Sequence, residues 1–244
     1  VVEVDLVKTS DGHIVLMHDE TLSSYTDFTS KQGVNGLPTD DDITKWTLAE
    51  LRQLRLKNPD GTISGYLIPT LEEVLSVSKG RVKLVLDKIF TSNLGVYTPV
   101  LDWETDIYPI IAATEAWDTW ILPYHYNVDT QIAIVNALEN GAGVDNLNIH
   151  SFVKFGGNAS TTTGNAQILR NNGITPIAYW HATLVTETML TESEDVLSTL
   201  KTSIRIMGQN HALAGGTETS DMWDKLLSNG VNMVLTDKGY DLQQ

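Results

Sequence analysis

Residues 2–19 of the chain read VEVDLVKTSDGHIVLMHD and hold two short β-type runs joined by Asp11-Gly12. An Asp-Gly pair between alternating apolar residues is a strong hairpin signal, so we expect the second run to fold back beside the first. Glu3 and Asp5 are two residues apart and therefore point to the same face of the first strand. The segment predicts a hairpin that carries two carboxylates and ends in His18-Asp19.

Two interpretations of these carboxylates are open at this point. Oxygen donors on one face can form half of a site for a hard cation, because buried carboxylates need a partner or an ion. The spacing by itself is also typical of a half-exposed edge strand with one wet face.

A second acidic position favours the cation site. Residues 81–88, RVKLVLDK, are an apolar run that ends in Asp87 and Lys88. Such runs are typical of a parallel strand buried on both faces, with site residues at its carboxyl end. Asp87 is therefore a candidate third oxygen ligand, and Lys88 is a candidate point charge for a phosphate.

A strand–helix rhythm continues along the rest of the chain. Apolar strand candidates begin near Lys83, Trp120, Asn146, Ile174, Ser203 and Asn232. Helical patterns with capping-box starts lie at 47–50, 70–73 and 191–194. Polar pairs close the strand candidates at Tyr124-His125, His150-Ser151, Trp180-His181, Gln209-Asn210 and Thr236-Asp237. Since a (β/α)₈ barrel gathers its ligands at strand carboxyl ends, the pattern predicts an α/β TIM barrel. A doubly wound sheet is less favoured, because no glycine-rich phosphate loop follows a strand.

Length and composition limit the class of protein. The 244 residues predict one domain over 1–244, with a loop insertion around 25–44 that is rich in Ser, Thr and Gly. The net charge of −15 argues against nucleic acid as a partner. The lack of cysteine excludes thiol catalysis and a cysteine-ligated zinc site, and no apolar run is long enough for a membrane span. The sequon at Asn158 and the threonines after it favour a periplasmic or extracellular location.

Five landmarks occur in a fixed order: E-x-D at Glu3–Asp5, D-G at Asp11-Gly12, H-D at His18-Asp19, IPTLEEVL at 68–75 and T-D at Thr236-Asp237. Together they resemble the pattern of glycerophosphodiester phosphodiesterase domains, from residue 1 to about residue 237. The resemblance implies a TIM barrel that hydrolyses a small-molecule phosphodiester such as glycerophosphocholine to glycerol phosphate and an alcohol.

The resemblance also implies roles for individual residues. Glu3 and Asp5 match the family's paired ligands for a divalent cation, Ca²⁺ or Mg²⁺, and Asp87 is a shorter substitute for its usual glutamate. His18 matches the second of two catalytic histidines. Lys88 matches the lysine at the end of the same strand as Asp87.

Two departures leave alternatives open. The family's His-Arg motif has no counterpart before Val1, so the first βα unit of the barrel is expected to be missing from this chain. The frequent Arg-Thr-Thr after His-Asp is here Ser24-Tyr25-Thr26, which lacks the cation. A non-catalytic barrel that binds phosphodiesters or sugars is one alternative. A sphingomyelin or lysophospholipid phosphodiesterase is the other.

Overall fold

The computed structural model describes residues 1–93, 96–123, 126–154, 159–179 and 204–205. The chain divides into two compact units, Val1–Ile121 and Leu122–Gln244. In the described residues each unit combines strands with helices, which is the α/β class that the sequence predicts. One domain over residues 1–244 stays a prediction.

The first unit is built around strand β1, Val2–Lys8. β1 pairs antiparallel with β2, Ile14–Leu16, as the Asp11-Gly12 turn predicts. It also pairs in parallel with β3, Leu84–Asp87, in which Leu84, Val85 and Leu86 are buried. The chain continues into an antiparallel hairpin of β4, Phe90–Asn93, and β5, Val96–Pro99, which the sequence did not reveal. β3 pairs in parallel with Trp120 and Ile121, the start of strand β6, Trp120–Leu122.

Short helices surround these strands: α1 Leu22–Tyr25, α2 Phe28–Lys31, α3 Leu48–Leu51, α4 Leu71–Ser78 and α5 Tyr108–Thr114. Single helical turns lie at Val34–Gly36, Ile43–Lys45 and Trp103–Ile107. The capping boxes predicted at 47–50 and 70–73 are both present, so Thr47 begins α3 and Thr70 begins α4. In each, the threonine hydroxyl and the glutamate carboxylate accept one another's backbone N–H, which satisfies two otherwise unpaired donors.

The insertion predicted around 25–44 is not an irregular loop. It contains α2 and two single helical turns, and its apolar side chains Phe28, Leu37 and Ile43 are buried. These side chains belong to one core cluster with Trp46, whose ring lies edge-on to Phe28 with 5.8 Å between centroids. The burial of these three residues could not be predicted from the sequence, because their spacing follows neither a helical nor a strand period.

The second unit repeats strand and helix. Its elements are α6 Val128–Ala142, β7 His150–Lys154, α7 Ala159–Asn171, β8 Thr175–Tyr179 and β9 Ile204–Arg205. β7 pairs in parallel with β8, and β8 pairs in parallel with β9. Strands are therefore present near Ile174 and Ser203, where the sequence predicts them.

One strand boundary was predicted wrongly. The sequence placed a strand from Asn146 with His150-Ser151 at its end, whereas β7 begins at His150. Asn146 has a φ of 58°, a left-handed conformation that cannot continue a strand. His150 is consequently at the amino end of β7, away from the carboxyl ends where barrel ligands gather.

Several predicted features lie outside the described residues: Tyr124-His125, Trp180-His181, Gln209-Asn210, Thr236-Asp237, the sequon at Asn158, the capping box at 191–194 and the strand near Asn232. Within the described part of the chain, no helix combines the length and apolar character needed to cross a membrane.

Candidate functional site

Three carboxylates predicted as ligands lie together in the first unit. The alternation of β1 places Glu3 and Asp5 on one face, and the parallel register of β1 and β3 sets Asp5 opposite Asp87. One oxygen atom from each carboxylate lies within 4.8 Å of the other two. The three side chains are half-buried. Parallel pairing thus brings together acids that are more than eighty residues apart in the sequence.

The cluster is electrostatically costly without a counter-charge. Burial, together with the charges of Asp5 and Asp87, raises the pKa of Glu3 to about 7. Burial also raises the pKa of Asp5, against the opposing effect of the Lys88 ammonium. Half-buried oxygen donors that repel one another fit a hard divalent cation, because the ion would replace the lost hydration and neutralise the charge.

Lys88 lies beside one of these acids. Its Nζ is 3.7 Å from Oδ1 of Asp5, and its backbone N–H donates to Oδ1 of Asp87 over 2.6 Å. The backbone of Lys88 has a φ of 59°, which is uncommon for a residue other than glycine. The ammonium therefore faces a predicted metal ligand, and its role in holding phosphate stays a prediction.

His18 follows β2 and lies at the end of the hairpin that carries Glu3 and Asp5. The backbone N–H of Met17 donates to the carbonyl oxygen of Asp5 over 3.1 Å, which places His18 near the acidic cluster. Its Nδ1 is 2.7 Å from Oδ1 of Asp19, and the side chain is 62% exposed. The contact with Asp19 therefore fixes the imidazole ring, and the ring stays accessible to a ligand.

Tyr25 completes a short hydrogen-bond chain to His18. Its hydroxyl donates to Oδ2 of Asp19 over 3.0 Å, while Oδ1 of the same carboxylate contacts the imidazole. The hydrogen bond from Tyr25 has the larger effect of the two, and together they lower the pKa of Asp19. Asp19 is consequently ionised at neutral pH and accepts the Nδ1 proton, which leaves Nε2 free for proton transfer.

A cavity of about 280 Å³ lies beside two of the three carboxylates and His18. Its lining includes Glu3, Asp5, His18, Tyr25 and Lys57. In the sequence, Tyr25 stands out only as part of a departure from the family pattern, and Lys57 does not stand out. Neither has a local signal, because both reach the cavity through the folding of residues 22–66 rather than at a strand end.

The comparisons with known proteins bear on this first unit. The model of the Glycerophosphoryl diester phosphodiesterase family matches residues 1–106. The family resemblance is thereby confirmed over residues 1–106. The matched segment contains every residue that the sequence proposed for the site. The match covers 106 of the 244 residues, and the activity of an enzyme of this family stays a prediction for the chain.

One solved structure supports the fold. A crystal structure of a glycerophosphoryl diester phosphodiesterase from Parabacteroides distasonis is similar, with a TM-score of 0.62 and 20% identity, over 96% of this chain and 71% of that chain. This likeness confirms the predicted TIM-barrel fold class. A glycerophosphodiester phosphodiesterase from Agrobacterium tumefaciens gives a TM-score of 0.44 and 14% identity, over 95% of this chain and 81% of that chain. No curated protein matches the chain.

Proposed function

We propose that the chain hydrolyses glycerophosphodiesters, such as glycerophosphocholine, to glycerol phosphate and an alcohol with the help of a divalent cation. The observation that supports this most is the position of Glu3, Asp5 and Asp87 in one cluster. Glu3, Asp5 and His18 line a single cavity of the segment that matches the family.

The acidic cluster would hold the cation. Glu3, Asp5 and Asp87 supply only oxygen donors, which favours Ca²⁺ or Mg²⁺ over softer metals. When bound, such an ion neutralises charge on the phosphodiester and polarises a phosphoryl oxygen. That neutralisation is needed because the protein has a net charge of −15 and would otherwise repel an anionic substrate.

His18 would transfer the proton. Asp19 fixes the ring through Nδ1, and Tyr25 fixes Asp19, so Nε2 is the atom that exchanges a proton with the reacting oxygen. Diester cleavage needs a proton removed from the attacking hydroxyl and a proton given to the leaving oxygen. His18 can act at either step.

Replacing His18 tests this assignment. We expect His18→Ala to lower kcat on glycerophosphocholine by ~10²–10⁴, the usual cost of losing a general acid or base, while Ca²⁺ affinity stays unchanged. Choline release measured with Ca²⁺, with Mg²⁺ and with a chelator gives kcat and the dependence on the ion. The matched control is His13→Ala, which removes an imidazole that is 55% exposed and outside the cavity of His18.

The leaving group separates the two steps. If His18 is the acid, the loss shrinks for a diester that releases p-nitrophenolate, because that leaving group needs little protonation. If His18 is the base, the loss persists. Full turnover by His18→Ala on both substrates would contradict its role, and a wild-type chain that binds Ca²⁺ without turnover would favour a non-catalytic binding barrel.

A further inference from the structure

Among the described residues, the cavity beside Glu3 and Asp5 has one lysine in its lining, Lys57. Its main chain is held against α1, because its N–H donates to the carbonyl oxygen of Tyr25 over 2.7 Å. Thr26 and Leu56 form an isolated β-bridge just beside this contact. The backbone of Lys57 is therefore fixed next to the residue that hydrogen-bonds Asp19.

The ammonium of Lys57 is anchored by a neutral group. Nζ donates to the carbonyl oxygen of Ser23 over 2.6 Å. The lysine ion pairs of the described residues involve Lys8, Lys45, Lys79, Lys83 and Lys88, and Lys57 is absent from them. A carbonyl oxygen is neutral, so it does not cancel the charge of the ammonium that donates to it. The ammonium also has two further N–H donors. Lys57 thus lines the cavity and has no carboxylate within ion-pair distance of its ammonium among the described residues.

Lys88 is placed differently. Its Nζ lies 3.7 Å from Oδ1 of Asp5, so its charge is already directed at a carboxylate of the acidic cluster. Of the two lysines, Lys57 therefore has the greater capacity to attract an anion.

We propose that Lys57 binds a non-bridging oxygen of the phosphodiester. The proposal rests on the proposed function, which it deepens by assigning a substrate-contacting residue. The cation at the acidic cluster and the ammonium of Lys57 would then both contact one anionic phosphoryl group, and His18 lines the same cavity.

Titration calorimetry with glycerol 3-phosphate as the probe tests the contact on the full chain in saturating Ca²⁺. We expect Lys57→Met to raise the Kd of glycerol 3-phosphate by about 10-fold or more, the usual cost of one charge-assisted hydrogen bond. The Kd of Ca²⁺ should not change. In turnover of glycerophosphocholine, Lys57→Met should raise KM more than it lowers kcat, because the phosphate is contacted before and during the reaction.

Two further variants control for charge and folding. Lys45→Met removes a lysine whose side chain is 61% exposed and lies outside the cavity, and it should bind the probe as wild type does. Lys57→Gln keeps a donor for the Ser23 carbonyl but removes the charge, and it should weaken binding as Lys57→Met does. Thermal melts show whether each variant is folded. If one Lys57 variant is unfolded, the affinity of the other is compared with that of the wild type.

The outcomes separate this inference from the proposed function. Equal affinity of wild type and both folded Lys57 variants would overturn the role of Lys57, even if the wild type hydrolyses glycerophosphocholine. No binding of the probe to the wild type would overturn it as well. A wild type that binds the probe, loses this binding in the Lys57 variants and shows no turnover would support the phosphate contact and contradict the proposed hydrolysis.

Discussion

At the scale of single residues, protonation of Glu3 makes cation binding at the site depend on pH. Its pKa of about 7 in the metal-free site is set by burial and by the charges of Asp5 and Asp87. Below that pH the side chain is mostly protonated, so a cation must displace a proton in order to bind. Above that pH the carboxylate is ionised and binding releases no proton from it.

We therefore predict that Ca²⁺ affinity falls as pH is lowered from about 8 to about 6, by at most ~10-fold per pH unit for one displaced proton. Calorimetry in buffers of different ionisation enthalpy measures both the affinity and the protons released. Glu3→Gln should bind Ca²⁺ more weakly and release fewer protons. Proton release that is the same in wild type and Glu3→Gln would show that Glu3 is not the group displaced.

Tyr25 acts on His18 through Asp19. Tyr25→Phe removes one hydrogen bond from Oδ2 of Asp19 and leaves the ring of residue 25 in place. We expect kcat on glycerophosphocholine to fall by up to about 10-fold, the net worth of one hydrogen bond, with Ca²⁺ affinity unchanged.

The matched control for this change is Tyr66→Phe, because Tyr66 is 76% exposed and does not line the cavity. Its kinetics should equal those of the wild type. An unchanged kcat for Tyr25→Phe would show that Asp19 orients His18 without help.

At the scale of elements, the register of β1 and β3 makes Asp87 part of the cluster. Asp5 and Asp87 are paired positions of a parallel ladder, so Asp87 can contribute an oxygen without any rearrangement of its strand. We predict that Asp87→Asn weakens Ca²⁺ binding by ~10-fold or more, because the neutral amide removes one unit of charge from the ligand set.

Calorimetric titration measures this loss against two other variants. Asp87→Glu keeps the charge and should retain binding. Asp60→Asn changes an acid of an exposed turn and should have no effect. Equal Ca²⁺ affinity in wild type and Asp87→Asn would show that Asp87 is not a ligand of the ion.

The elements also show where sequence patterns are sufficient. The Asp11-Gly12 hairpin, the buried run of β3 and the helix starts at Thr47 and Thr70 depend on local chemistry, and the structure confirms each of them. The predicted start of β7 was wrong because Asn146, the first residue of the predicted strand, has a left-handed backbone. A single backbone angle of this kind leaves no trace in periodicity.

At the scale of the whole molecule, the sequence predicted which acids meet but not what surrounds them. Glu3, Asp5 and Asp87 could be found because alternation and parallel pairing bring strand positions together by rule. Tyr25 and Lys57 could not, since they reach the cavity through packing of the segment around Phe28, Ile43 and Trp46. The left-handed backbone of Lys88, whose Nζ lies 3.7 Å from Oδ1 of Asp5, likewise has no signal in the sequence.

At the same scale, the proposed cation would offset the repulsion between an anionic substrate and a protein with a net charge of −15. The most direct test is the double variant Glu3→Ala/Asp5→Ala, with Glu72→Ala on the exposed face of α4 as its control. Calorimetry with Ca²⁺ and Mg²⁺, combined with turnover of glycerophosphocholine, measures both functions in the same samples. We predict that the double variant folds, binds neither ion and has no activity, while Glu72→Ala matches the wild type. Unchanged ion affinity in the double variant would contradict the central claim that these carboxylates hold the cation.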